Sequence, residues 1–205
     1  MLNNALVRYS PVRLSTNMEV TVSGFICNTC GKPHDELPMC FGPSAPDLWY
    51  SMPETERNER GELSSDQCVI DGKHFFVLGR ILIPVTDGVG PFAWLAWVSL
   101  SERNFLRMCE LWERDGRETE PLYCGSLQSN LPYEPSTLGL EVQVQTMPLG
   151  ERPLILFDHT VHPLSVEQHT GITMAPSPAH CRVGASWLRR SLAPPSRDGC
   201  PHRGI

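Results

Sequence analysis

The chain has 205 residues, 40% of them apolar, with 19 prolines, 16 glycines and a formal net charge of -6. That length suits one domain with or without tails, and the density of Pro and Gly excludes long uninterrupted helices. No apolar run reaches 18 residues, and the first 20 residues lack a continuous apolar segment with a small-residue cleavage site, so neither a spanning helix nor secretion is expected, and a cytoplasmic protein is.

The charge is unevenly placed. Residues 19–181 hold 10 Lys and Arg against 22 Asp and Glu, a net of -12, whereas residues 182–205 hold five arginines and one aspartate, a net of +4. An acidic body argues against nucleic acid as a partner, because backbone phosphates are bound by releasing counterions to positive charge. Eight cysteines without a secretion signal read as thiols, with a metal-binding pair among them.

In chain order, residues 1–23 show no hydrophobic period and read as a poorly ordered leader. Gly24 to Cys27 reads as a short strand, and residues 31–46 as loop, because Pro and Gly recur every few positions. Asp47 is placed to cap a short helix over Leu48, Trp49 and Tyr50, and Pro53 to start a second, charged helix through PETERNER. Gln67 to Asp71, an Asp71-Gly72 turn, and His74 to Val85 predict a hairpin.

Phe92 to Leu100 is a further strand, in which Trp94 and Trp97, three apart, face opposite sides. Ser101 caps a helix whose Phe105, Met108, Leu111 and Trp112 recur at helical steps. Leu122 to Gln128 and Leu138 to Thr146 follow as strands. In the second, Leu140, Val142 and Val144 alternate with polar residues, giving one buried face and one wet. Leu154 to Phe157 is a last strand, and Pro163 to His169 a last helix with Gly171 just past its end.

This order lacks regular βα alternation. It predicts an α+β domain over residues 24–175, with a mostly antiparallel sheet, a few short helices packed on one side and a small zinc-knuckle-like loop at the start. Residues 176–205, rich in Pro and Arg with little to bury, read as a disordered tail.

The chemistry-bearing residues fall in two clusters. In Cys27-x-x-Cys30-Gly31-x-x-His34 two thiolates at a tight turn can face one ion with an imidazole nearby, which predicts a structural zinc site. A fourth ligand is needed. Cys40, Cys68, His159 and His162 are available, and His162 would tie the first and last strands together. The competing reading is a degenerate knuckle whose cysteines pack as small apolar residues. The second cluster is Asp158-His159-x-x-His162, with Glu167 and His169 downstream. It could bind a metal or move protons, or simply lead a polar loop into a helix. Cys68, on a strand, reads as core, and the Trp pair as core packing or one exposed binding surface.

The strings CNTCGKPHDELP, LSSDQCVIDGKHFFVLGRILIPV, WLAWVSLSERNF, YCG and RPLILFDHTVHPLSVEQHTGIT, in this order over residues 25–173, resemble the bacterial domain of unknown function 2199 family. The resemblance implies a small bacterial cytosolic domain and brings no established activity with it. Phosphate-loop, dinucleotide, nucleophile-elbow and zinc-protease strings are absent from the sequence. The leading expectation is therefore a non-enzymatic domain that acts through protein contacts and carries a zinc site at Cys27, Cys30, His34 and His162. The alternative is a metal-dependent hydrolase of a small substrate, working through Asp158, His159 and His162. The sequence leaves the oligomeric state open.

Overall fold

The computed structural model describes residues 39–158 and 161–173, together with the backbone of two short strands near the N-terminus. The chain divides into two units, between Leu37 and Pro38. In the first unit, β1 (Phe25–Ile26) pairs antiparallel with β2 (Pro33–His34), with Phe25 opposite His34.

The second unit is built around one long hairpin. β5 (Gln67–Ile70) turns through Asp71 and Gly72, both at positive φ, into β6 (His74–Ile83), as the Asp-Gly signal predicts. β6 then pairs antiparallel along its length with β7 (Phe92–Leu100), from Phe75 opposite Leu100 to Ile83 opposite Phe92. Ser101 caps α3 (Glu102–Glu110), its hydroxyl accepting from the Asn104 N–H at 3.3 Å, and Phe105 and Met108 are buried as their spacing requires. β8 (Tyr123–Leu127), β9 (Glu141–Gln145) and β10 (Leu154–Leu156) follow, each antiparallel to the strand before it.

Five strands, each antiparallel to the last, must bring the fifth parallel to the first. β10 does pair parallel with β6, Leu154 opposite Arg80, and closes β6 to β10 into a five-stranded barrel. Gly79 makes the closure possible: a Cβ there would stand 2.9 Å from Ile155 Cδ1 and 3.1 Å from the Pro153 carbonyl. The sheet is mostly antiparallel, as expected; its closure is an addition, because alternation shows which face is buried but not which edges meet.

Besides β5, two shorter strands extend the sheet beyond the barrel. β3 (Cys40–Phe41) lies parallel to the start of β7, and β4 (Gly61–Leu63) flanks β5. β2 and β3 fall in the stretch read as loop, and β4 directly follows a helix; each is only two or three residues long, too short to show a period. α1 (Asp47–Ser51) and α2 (Glu54–Arg60) stand where expected. Asp47, however, caps nothing in its own helix: its carboxylate accepts from the Asn130 N–H at 3.2 Å. α2 buries no residue, in keeping with its charged sequence. α4 (Pro163–Thr170) ends at Gly171.

The helices do not all pack on one side, which corrects the expectation. β6 and β7 are buried on both faces. Val77, Ile81, Trp94, Ala96 and Val98 point into the barrel and join Phe105 and Met108 of α3 and Leu164 of α4. Phe76, Leu78 and Trp97 point outward and pack with Trp49 of α1, Met52 and Cys68. Trp94 and Trp97 therefore take opposite faces as the strand period requires, and both are buried, so neither offers a binding surface.

Candidate functional site

The predicted metal residues are distributed as follows. Cys27 and Cys30 lie outside the described residues. His34 is placed by its backbone, in β2. His162 is buried at the start of α4, where its Nδ1 accepts from the Leu164 N–H at 3.2 Å and caps the helix. Accepting at Nδ1 places the ring proton on Nε2, which donates to the Pro135 carbonyl at 2.9 Å. Both nitrogens are thus held by backbone groups, and a metal at His162 would have to displace one of them. The other donors the sequence offers differ. Cys68 is fully enclosed, and burial pushes its thiol up to about 12; Cys40 is exposed at the start of the second unit; His159 lies outside the described residues. Among the described residues no three His, Cys, Asp or Glu side chains converge on a common point.

The second cluster is divided by the fold. Glu167 faces the barrel end and accepts a 2.5 Å hydrogen bond from the Tyr133 hydroxyl, which in turn accepts from Trp94 Nε1–H at 3.1 Å. Burial first, and the bond to Glu167 second, hold the Tyr133 phenol far above its usual range. Asp158 and His169 instead line a groove of about 440 Å³ on the outer side of the barrel wall, floored by Leu82, Leu154 and Leu156. The His169 Nδ1–H donates to the Ser165 carbonyl at 2.7 Å. The groove therefore carries one carboxylate and one imidazole over an apolar floor. Among the described residues no hydroxyl or thiol nucleophile lines it.

Three further polar side chains organise the fold, and none was singled out from sequence. Buried Arg117 donates to four carbonyls, those of Trp112, Met147, Pro148 and Glu151, at 2.6 to 3.1 Å, and its guanidinium lies 5.3 Å from the Trp112 ring centre. Thr137 accepts from Leu131 N–H and donates to the Ser129 carbonyl, both at 2.8 Å. Gln168 reaches from α4 to β10, its amide accepting from Phe157 N–H at 2.9 Å and donating to the Ile155 carbonyl at 2.8 Å. A lone arginine between charged neighbours, or a glutamine in a short helix, gives no sequence signal. Their partners lie 5 to 34, 6 to 8, and 11 to 13 residues away.

No helix among the described residues is long and apolar enough to cross a membrane. No curated protein and no solved structure matches the chain. A family model does match, over residues 26–172, nearly the same span as the resemblance read from the sequence strings. The chain therefore belongs to the family described as "Uncharacterized protein conserved in bacteria (DUF2199)".

Proposed function

We propose that this protein is a non-enzymatic interaction domain, acting through contacts with another protein and carrying a structural zinc ion at Cys27, Cys30 and His34. One observation favours the non-enzymatic part most: several of the described side chains best suited to chemistry are spent on the fold. His162 caps a helix, Tyr133 and Glu167 bond to each other, and Arg117 holds four carbonyls. A hydrolase built on Asp158, His159 and His162 would have to free an imidazole that two backbone groups already hold. Zinc is supported by the knuckle spacing, and the fourth ligand is then a donor other than His162. The acidic body, with a net charge of -12 over residues 19–181, suits a partner with a basic surface.

Elemental analysis of protein purified without added metal tests the zinc. About one zinc per chain, lost in Cys27→Ser, is the expected result, and chelation should unfold the metal-bound part. Metal below about 0.2 per chain would leave a metal-free fold in its place. Capture from a native bacterial lysate with the full chain as bait tests the interaction, and recovery of no partner counts against it.

A further inference from the structure

The barrel has one weak wall, and α4 fills it. Along β6 the residues whose backbone groups face β10 are the even ones: Arg80 N–H donates to the Pro153 carbonyl at 2.8 Å. Leu82, two residues on, faces the same way. The register agrees, because Ala93, opposite Leu82, turns its own N–H away to the Met39 carbonyl at 2.8 Å. β10 does not continue the ladder there. Its next two groups on that edge, the Ile155 carbonyl and the Phe157 N–H, are taken by the Gln168 amide. Just past the end of β6 the chain is paired again, by the residues that follow α4. Ile172 N–H donates to the Pro84 carbonyl at 2.8 Å, and Thr86 N–H donates to the Ile172 carbonyl at 2.9 Å. Gly171 lets the chain pass this close, since at its φ of 81° a Cβ would stand 2.8 Å from the Pro84 carbonyl.

The seam between β6 and β10 is thus closed by a side-chain amide standing in for a peptide group. Two further features mark the same place. The outer groove runs along it, lined by Leu82, Leu154, Leu156 and Gln168. Arg80 Nε, at the single β6–β10 pairing, is buried with no hydrogen-bond partner among the described residues. The element that closes the seam buries one apolar side chain, Leu164, and otherwise holds by polar bonds: the His162 ring to the Pro135 carbonyl, the Tyr133 hydroxyl to Glu167, the Ser165 hydroxyl to the Asp158 carbonyl, and the Gln168 amide to Ile155 and Phe157. α4 has eight residues, of which only Leu164 and Ser165 are buried, and Val166 is 45% exposed. A helix this short has no stability of its own and stays only through its attachments.

We propose that α4 is a releasable wall of the barrel: it opens as a unit with its attachments at Pro135, Tyr133, Phe157 and Ile172, uncovering the edge of β10, while the four antiparallel pairings from β6 to β10 stay formed. Regions held by few apolar contacts open at a lower free energy than the core around them.

Native-state hydrogen exchange on the full chain tests this. The Phe157, Gly171 and Ile172 amides are expected to exchange together and ahead of Val98 and Val144. Gln168→Ala should speed that set by about tenfold or more and leave Val98 and Val144 unchanged. The proposal is overturned if the three amides exchange at the rate of the barrel in the natural chain, or if Gln168→Ala accelerates all five equally. Gln168→Met keeps the length without the amide and gives the same reading if the alanine variant does not fold. Failure of both to fold also overturns it, because release would then be inseparable from unfolding of the barrel.

Discussion

The two tryptophans of β7 sit three residues apart in unlike surroundings. Trp97 faces outward into the cluster of Trp49, Met52, Phe76 and Leu78, and its indole N–H donates to the Pro43 carbonyl at 3.2 Å. Trp94 faces inward at the barrel end, and its N–H donates to Tyr133, which passes the chain on to Glu167. A buried indole needs a partner for its one donor. The outer one has a backbone group that does not titrate, and the inner one has a phenol that does. The lesson is that one strand serves two cores of different character: the outer held by packing and backbone, the inner end by a polar chain sensitive to pH.

The most severe test of this division is Trp97→Ala. Emptying the centre of the outer cluster should cost about 3 to 5 kcal/mol in urea unfolding. Both clusters share β6 and β7, so a single transition with an unchanged slope is expected. Two separate transitions would show that the outer layer is an independent unit and that the comparison joins things that do not fold together.

Next in size is Arg117→Met, which keeps much of the bulk beside Trp112 and leaves four carbonyls without their shared donor. A loss of about 2 to 3 kcal/mol is expected, read as a fall in thermal midpoint. A change near zero would mean that water satisfies those carbonyls as well as the guanidinium does.

Tyr133→Phe probes the inner end, and about 1 kcal/mol is expected at neutral pH. Its pH dependence carries more information. The folded phenol ionises above the unfolded one, so the stability it confers is fully present below about pH 10, the ordinary tyrosine range, and is lost as pH rises beyond it. Tyr123, pushed up to about 12 by burial and by its bond to Glu120, behaves the same way. The natural chain should therefore lose stability between about pH 10 and 12, and the Phe variant should lose less over the same range. Urea midpoints measured across that interval decide the matter, and parallel curves for the two proteins would remove Tyr133 from the account.

The smallest effect belongs to Arg60→Ala on α2. Its pairs with Asp71 and Glu56, at 2.7 and 3.0 Å, lie at the surface, and the helix buries nothing. The Arg60 hydrogen bond holds the Asp71 carboxyl below its usual range, so any contribution is present at neutral pH and fades as pH falls through that lowered value. At neutral pH in moderate salt the urea midpoint should stay within experimental error. A clear shift would mean that α2 supports the outer cluster by way of β4.

Local patterns placed most of the elements. The Asp71-Gly72 turn, the alternation in Glu141–Gln145, the Ser101 cap and Gly171 past α4 each act over a few residues, and a sequence shows them directly. Of the candidate site residues, the sequence identified chemically capable types but not their employment. His162 reads either as a ligand or as part of a polar loop leading into a helix until the Pro135 carbonyl is seen 2.9 Å from its ring. Asp158 and Glu167 read as neighbours, yet one faces the groove and the other the barrel end.

By itself the sequence determined the longer strands, the places of the helices, the acidic body and the family, because period, turn chemistry and composition are properties of neighbouring residues. Tertiary structure alone decided that the sheet closes, that β6 and β7 are covered on both faces, and which polar groups are consumed. Those outcomes depend on edges and side chains meeting across long stretches of chain, as when Arg80 reaches Glu151 and Tyr133 reaches Glu167, and no spacing rule in one dimension encodes such meetings.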